Sequence, residues 1–149
     1  MWRVDPEPPP TATVPDAETL AFAHRMFDLA REGSAAELAA YVDAGVPANL
    51  TNDKGDTLLI LAAYHGHPET VAALLARGAD PARVNDRSQT PLAAATFKRC
   101  GAAVSALLDA GADPAQGTQS ALATAEFFAL PDMLELLQAR AARADEEGV

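Results

Sequence analysis

The chain has 149 residues and a formal net charge of -10, from 11 Lys+Arg against 21 Asp+Glu. That balance argues against a phosphate-backbone binder, which needs a basic footprint, and against docking on an anionic membrane surface. Cys100 is the one cysteine, so no internal disulfide is possible and the fold must rest on apolar packing.

The chain begins "MWRVDPEPPPTATVPD", with no apolar run of signal-peptide length. No stretch approaches a membrane span, and a cytoplasmic location is expected. Two lysines, Lys54 and Lys98, stand against nine arginines in an alanine-rich chain, a composition expected of a GC-rich bacterial genome. Residues 1–16 are Pro-rich and read as a disordered arm. Trp2 lies in that arm, packed back on the first helix or free.

Beyond the arm the chain repeats itself. "LLARGADP" at Leu74–Pro81 returns as "LLDAGADP" at Leu107–Pro114, an offset of 107 − 74 = 33. Laid over one another without a gap, residues 52–84 and 85–117 agree at 14 of 33 positions. One step back, 19–51 is a degenerate first copy, with Gly33, Leu38 and Gly45 under Gly66, Val71 and Gly78. One step forward, 118–140 is a shortened fourth copy: Leu122 answers Leu92 at 30, and Leu136-Leu137 answer Leu107-Leu108 at 29. Drift in the end copies is expected of an array, because each has one face in water.

Each copy reads alike. "NDKGD" is a turn, since Asn, Asp and Gly tolerate the backbone angles of a tight loop. Thr57 opens a short apolar helix, "LLILAAYH", which Gly66 ends. Pro68 suits the first turn of a second helix, where its missing N–H costs nothing. In that helix Val71, Leu74 and Leu75 share a face at spacings of 3 and 4. Gly78 stands where a left-handed cap is wanted. One such unit cannot bury its apolar face, but stacked units bury a continuous core. The expected domain is residues 17–141, an all-α solenoid of about four helix-turn-helix repeats with capping ends, followed by an acidic tail at 142–149.

The unit resembles the ankyrin repeat. "GDTLLILAAYHGHPETVAALLARGAD" and "SQTPLAAATFKRCGAAVSALLDAGAD" both follow that family's spaced pattern, and the likeness covers about 19–139. Its 33-residue period and T-P-L-H-x-A signature are known properties of the family. There are departures. The family histidine after Leu is Ile60 in one copy and Ala93 in the next, and the third copy has Ser88 and Arg99 where glycines are usual. The compact four-copy chain is also similar to small bacterial ankyrin proteins, some of which are associated with catalases.

Chemistry is sparse. His65, His67 and Cys100 do not add up to the four ligands of a zinc site. His67 matches the family's "GH" histidine, which is expected to bond backbone at the start of the second helix. Cys100 reads as a small filler, with a reactive thiol as the alternative. No nucleophile elbow and no phosphate-cradling loop is visible. No catalytic residue, cofactor or metal is expected.

The resemblance implies protein binding on the concave face, formed by turn tips and first helices. The tips are Asp53, Lys54, Asp56, Asp86, Arg87 and Gln89. The ends of the first helices supply Arg31, Tyr64 and His65, Phe97 and Lys98, Phe127 and Phe128. One column reads Arg31, Tyr64, Phe97, Phe127. Aromatic residues are enriched among interface anchors, though such rings can equally pad the contacts between repeats. The expected function is a non-catalytic, monomeric module for an unknown protein partner, without nucleic acid or membrane. The alternatives are an accessory partner of an enzyme such as a catalase, or a thiol redox sensor working through Cys100.

Overall fold

A computed structural model of the chain describes residues 16–147. Residues 1–15 of the expected arm, Trp2 among them, lie outside the described residues. Asp16, which the sequence reading assigns to the arm, belongs to the fold: its side chain accepts from the Thr19 N–H at 2.7 Å and caps the first helix.

Among the described residues eight helices follow: α1 (Ala17–Glu32), α2 (Ala35–Asp43), α3 (Leu58–Tyr64), α4 (Pro68–Leu75), α5 (Pro91–Lys98), α6 (Gly101–Asp109), α7 (Ala121–Phe127) and α8 (Pro131–Glu147). They form four successive pairs. The first helices α1, α3, α5 and α7 pack in one row, and α2, α4 and α6 in a second row beside it. This is the all-α solenoid of stacked helix pairs expected from the repeat.

The start of each first helix is written in the sequence. Thr57, Thr90 and Ser120 are N-caps, their hydroxyls accepting from the Ile60, Ala93 and Ala123 N–H groups at 3.0, 3.0 and 3.1 Å. An uncapped helix leaves its first N–H groups without partners, and a Ser or Thr here is worth about 1 kcal/mol. The step from Thr90 to Ser120 is shorter than the step from Thr57 to Thr90, so the fourth copy is indeed short in its opening turn.

Between the rows lies one core. Leu58, Leu59, Val71, Leu74, Leu92, Val104, Leu107 and Leu137 are all fully buried. Each such leucine contributes about 1.5–3 kcal/mol by leaving water. The N-terminal end is closed by larger groups, Met26, Phe27, Leu29 and Leu38. The buried face of α7 is only Ala121 and Ala125.

After each first helix the chain makes the same left-handed step, at Gly33 (φ 80°), Gly66 (φ 75°), Arg99 (φ 59°) and Ala129 (φ 53°). Glycine fills it in the first two copies and not in the last two. The turn glycine Gly55 (φ 79°) likewise gives way to Ser88 (φ 61°). The losses noted in the third copy therefore did not change the backbone, which keeps a conformation that suits glycine better.

At the C-terminal end α8 runs to Glu147, through the boundary that the sequence reading set at 141. The stretch "ARAARADEE" contains no glycine or proline, and Ala, Arg and Glu are good helix formers. The backbone therefore has no reason to stop there.

Candidate functional site

The turn tips are held by two asparagines at equivalent positions. The Asn52 Oδ1 accepts from the N–H groups of Lys54 and Asp56 at 2.9 and 3.0 Å. The Asn85 Oδ1 accepts from Arg87 and Gln89 at 2.9 and 3.0 Å. The Asn85 Nδ2 donates onward to the Asp56 carboxylate at 2.8 Å and to the Gln89 Oε1 at 3.0 Å. One tip is thus tied to the next, and the Asp86 N–H, donating to the Lys54 carbonyl at 3.0 Å, adds a backbone link.

This network corrects the reading of Asp56 as a surface contact. Asp56 is buried, and its carboxylate is used to join repeats. Gln89 is half-buried and bonded to Asn85. Asp53, Lys54, Asp86 and Arg87 stay exposed at the tips. The two asparagines, one repeat apart, were visible in the sequence. Their role as clamps was not, because it depends on where their side chains turn.

Below the tips lies a groove of about 530 Å³. Eight of the expected residues line it: Arg31, Asp53, Lys54, Asp56, Tyr64, His65, Arg87 and Gln89. Its floor is Phe27, Ile60 and Leu61, and α1 adds His24 and Asp28. The sequence reading missed those two, because it took only the end of α1 as part of the face. Arg31 forms an ion pair with Asp28 at 3.0 Å, an exposed pair of small energetic weight. Burial, and after it the positive charge of Arg31, lowers the pKa of His65 from 6.5. His65 is therefore neutral at pH 7, offering one donor and one acceptor.

The second feature is a row of rings beside the groove. Tyr64 and Phe97 stack with centroids 5.9 Å apart and planes 10° apart. Phe97 meets Phe128 edge-on at 5.1 Å, and Phe128 meets Phe127 at 4.9 Å. Tyr64, Phe97 and Phe128 are each close to half exposed, at 45%, 44% and 49%, and Phe127 is 83% exposed. The column therefore continues from Phe97 to Phe128. Phe127 has the matching register, one shortened repeat beyond Phe97, but register fixes a backbone position and not which of two adjacent rings turns along the row. The rings touch across repeats, and each also shows a face to water.

His67 lies behind this face. Its Nε2–H donates to the Arg31 carbonyl at 2.7 Å. It bonds backbone as expected, but at the end of the preceding repeat's first helix rather than at the start of its own second helix. Lys98 runs its stem over Gly66, where an added Cβ would meet the Lys98 Cε at 3.2 Å. Cys100 is half-buried at the start of α6 and packs against the core.

Among the described residues, no helix is long and apolar enough to cross a membrane. The family model for ankyrin repeats (3 copies) matches residues 26–118. An ankyrin repeat protein of Pseudomonas aeruginosa, PA3287, is 54% identical over 56 residues, which are 38% of this chain and 33% of that protein. The chain thus aligns with only a third of the length of that bacterial relative. The crystal structure of the human ASB11 ankyrin repeat domain superposes with a TM-score of 0.71 at 28% identity, over 76% of this chain and 52% of that one. The repeat, the stacked helix pairs and the matched model agree, and the chain belongs to the ankyrin repeat family, whose repeats are general protein–protein interaction modules, as a rule non-catalytic scaffolds.

Proposed function

We propose that this chain is a non-catalytic binding module that takes a partner protein on its concave face. The observation that carries the reading is the ring row Tyr64–Phe97–Phe128. Three half-exposed rings in contact on a chain that is only 5% aromatic form a concentrated apolar strip. A flat ring buries much area while freezing only two torsions. The polar groove alongside supplies Lys54, His65 and Arg87 as a rim that sets orientation more than affinity.

The test pairs binding with stability. Full-length Tyr64→Ala and Phe97→Ala are used as baits in a lysate of the native host, and their melting curves are recorded. Each substitution is expected to weaken capture by about 2 kcal/mol or more, roughly 30-fold, if the ring is a hot spot. Each also loses the ring–ring contact, about 0.5–1.5 kcal/mol of stability. A variant that binds like the parent refutes the reading. So does one that melts as low as a core-leucine variant, because the rings would then be inter-repeat filling and the binding site would lie at the tips around Asp53, Lys54, Asp86 and Arg87.

A further inference from the structure

We infer that the concave face takes this chain's own residues 1–15, with Trp2 laid on the ring row between Tyr64 and Phe97. The inference rests on the reading of that row as a binding face, and not on the identity of a foreign partner. Three observations lead there: the chemistry of the segment, its reach and its charge.

The row is a strip of half-exposed rings, Tyr64, Phe97 and Phe128. Aromatic-lined surfaces suit proline-rich chain, whose extended form loses little entropy on docking. Residues 1–15 supply that chemistry: Pro6, Pro8, Pro9, Pro10 and Pro15, and ahead of them Trp2 and Val4. Trp2 is the single tryptophan of the chain, and tryptophan is enriched among the anchors of interfaces because it buries so much area.

Reach follows from α1. Counted from the common step at Gly33 and Gly66, Ala17 falls at the register of Leu50, so α1 starts 58 − 50 = 8 residues earlier than α3 does at Leu58. That is about 12 Å of extra helix. Its cap, Asp16, therefore stands at the turn end of the first-helix row. From there the path to the rings runs about 22 Å along the helices and about 20 Å across two repeats, roughly 30 Å in a straight line. The 16 − 2 = 14 residue steps from Asp16 back to Trp2 span about 43 Å of polyproline-like chain, which covers that distance with slack.

Charge sets the register. Among the described residues, no ion pair involves Lys54 or Arg87. Both are exposed at the tips, on the way from Asp16 to the ring row. The segment brings two acids, Asp5 and Glu7, against one arginine, Arg3. Trp2 and Glu7 are separated by about 15 Å of extended chain, and α3, which leads from the tips to Tyr64, is about 10 Å long. With Trp2 on the rings, Asp5 and Glu7 come level with Lys54 and Arg87.

The experiment reads Trp2 emission, which reports on this segment alone. Acrylamide quenching is measured on the full chain and on a synthetic peptide of residues 1–15. Tethering gives an effective concentration of about 1 mM, so an intrinsic affinity of about 0.5 mM docks about two-thirds of the molecules and slows quenching roughly threefold relative to the peptide. Y64A/F97A should return quenching to the peptide's rate. K54E/R87E changes only exposed tip side chains, so it keeps the test open if the ring variant does not fold; it should speed quenching about twofold, as the loss of weak exposed pairs requires. Peptide-like quenching in the parent overturns the inference. Protection that outlasts either pair of substitutions also overturns it, because Trp2 then lies elsewhere, and protection lost on dilution assigns the face to the segment of a second copy instead. Peptide-like quenching in a chain that still captures a partner through its rings leaves the binding reading standing alone. Slow quenching in a chain that captures no partner, even as W2A, supports the docked segment and counts against that reading.

Discussion

Gly33 carries two constraints at once, and they can be separated by mutation. Its φ of 80° is left-handed. A Cβ built on it would stand 2.4 Å from the His67 Nδ1, 2.6 Å from its Cγ and 2.9 Å from its Cε1. No real Cβ tolerates such distances, so Gly33→Ala must push the imidazole away. The ring is held by its 2.7 Å bond to the Arg31 carbonyl, which then breaks. Gly78 is the matched control: its φ is 91°, and nothing lies within 4 Å of its added Cβ. The backbone term common to both alanines is about 1–2 kcal/mol. Losing the His67 bond and leaving a half-buried carbonyl without its partner adds about 1–3 kcal/mol. Gly33→Ala should therefore melt below Gly78→Ala by roughly 2–12 °C, at about 2–4 °C per kcal/mol for a chain of this size. Thermal or urea unfolding of the two variants measures the difference directly.

A double-mutant cycle makes the argument sharper. In a His67→Ala background the ring is gone, and Gly33→Ala should cost only the backbone term that Gly78→Ala costs. The coupling between positions 33 and 67 is then about 1–3 kcal/mol, the size of the lost contact. If Gly33→Ala costs the same with and without His67, the ring yields freely and the proposed link between the first two repeats carries no stability.

Other expectations follow from the same structure. Leu74→Ala and Leu107→Ala remove fully buried side chains and should each cost about 2–5 kcal/mol in denaturant unfolding; an unmoved midpoint for Leu107→Ala contradicts the repeat register. His65 is held below its usual pKa, chiefly by burial and then by Arg31, so the unfolded chain takes up that proton first. Its contribution is complete above pH 6.5 and is lost as pH falls below that value toward the folded pKa. An imidazole NMR titration should place the His65 midpoint below 6.5, and His65→Gln should flatten the fall in melting temperature as pH drops below 6.5, relative to the parent.

What could be read in the sequence, and what could not, divides along a physical line. The caps Thr57, Thr90 and Ser120 and the glycines at 33, 66 and 78 answer rules that act within a few residues, so a linear repeat displays them. The face that Val71 and Leu74 share follows from helical spacing alone. Asp56 looked like a surface acid because its partner Asn85 belongs to the next repeat and comes into reach only after stacking. The groove floor of Phe27, Ile60 and Leu61 has the same origin. Phe128 displaced Phe127 because two adjacent rings share one register, and side-chain direction decides between them. The tolerance of Arg99 and Ala129 for a glycine's conformation is the most telling case. Their own propensities vote against that backbone, so the stacked neighbours must impose it. In an array, then, local rules specify each unit while packing between units overrules them at chosen points, and those points gather in the half of the molecule that carries Phe97 and Phe128.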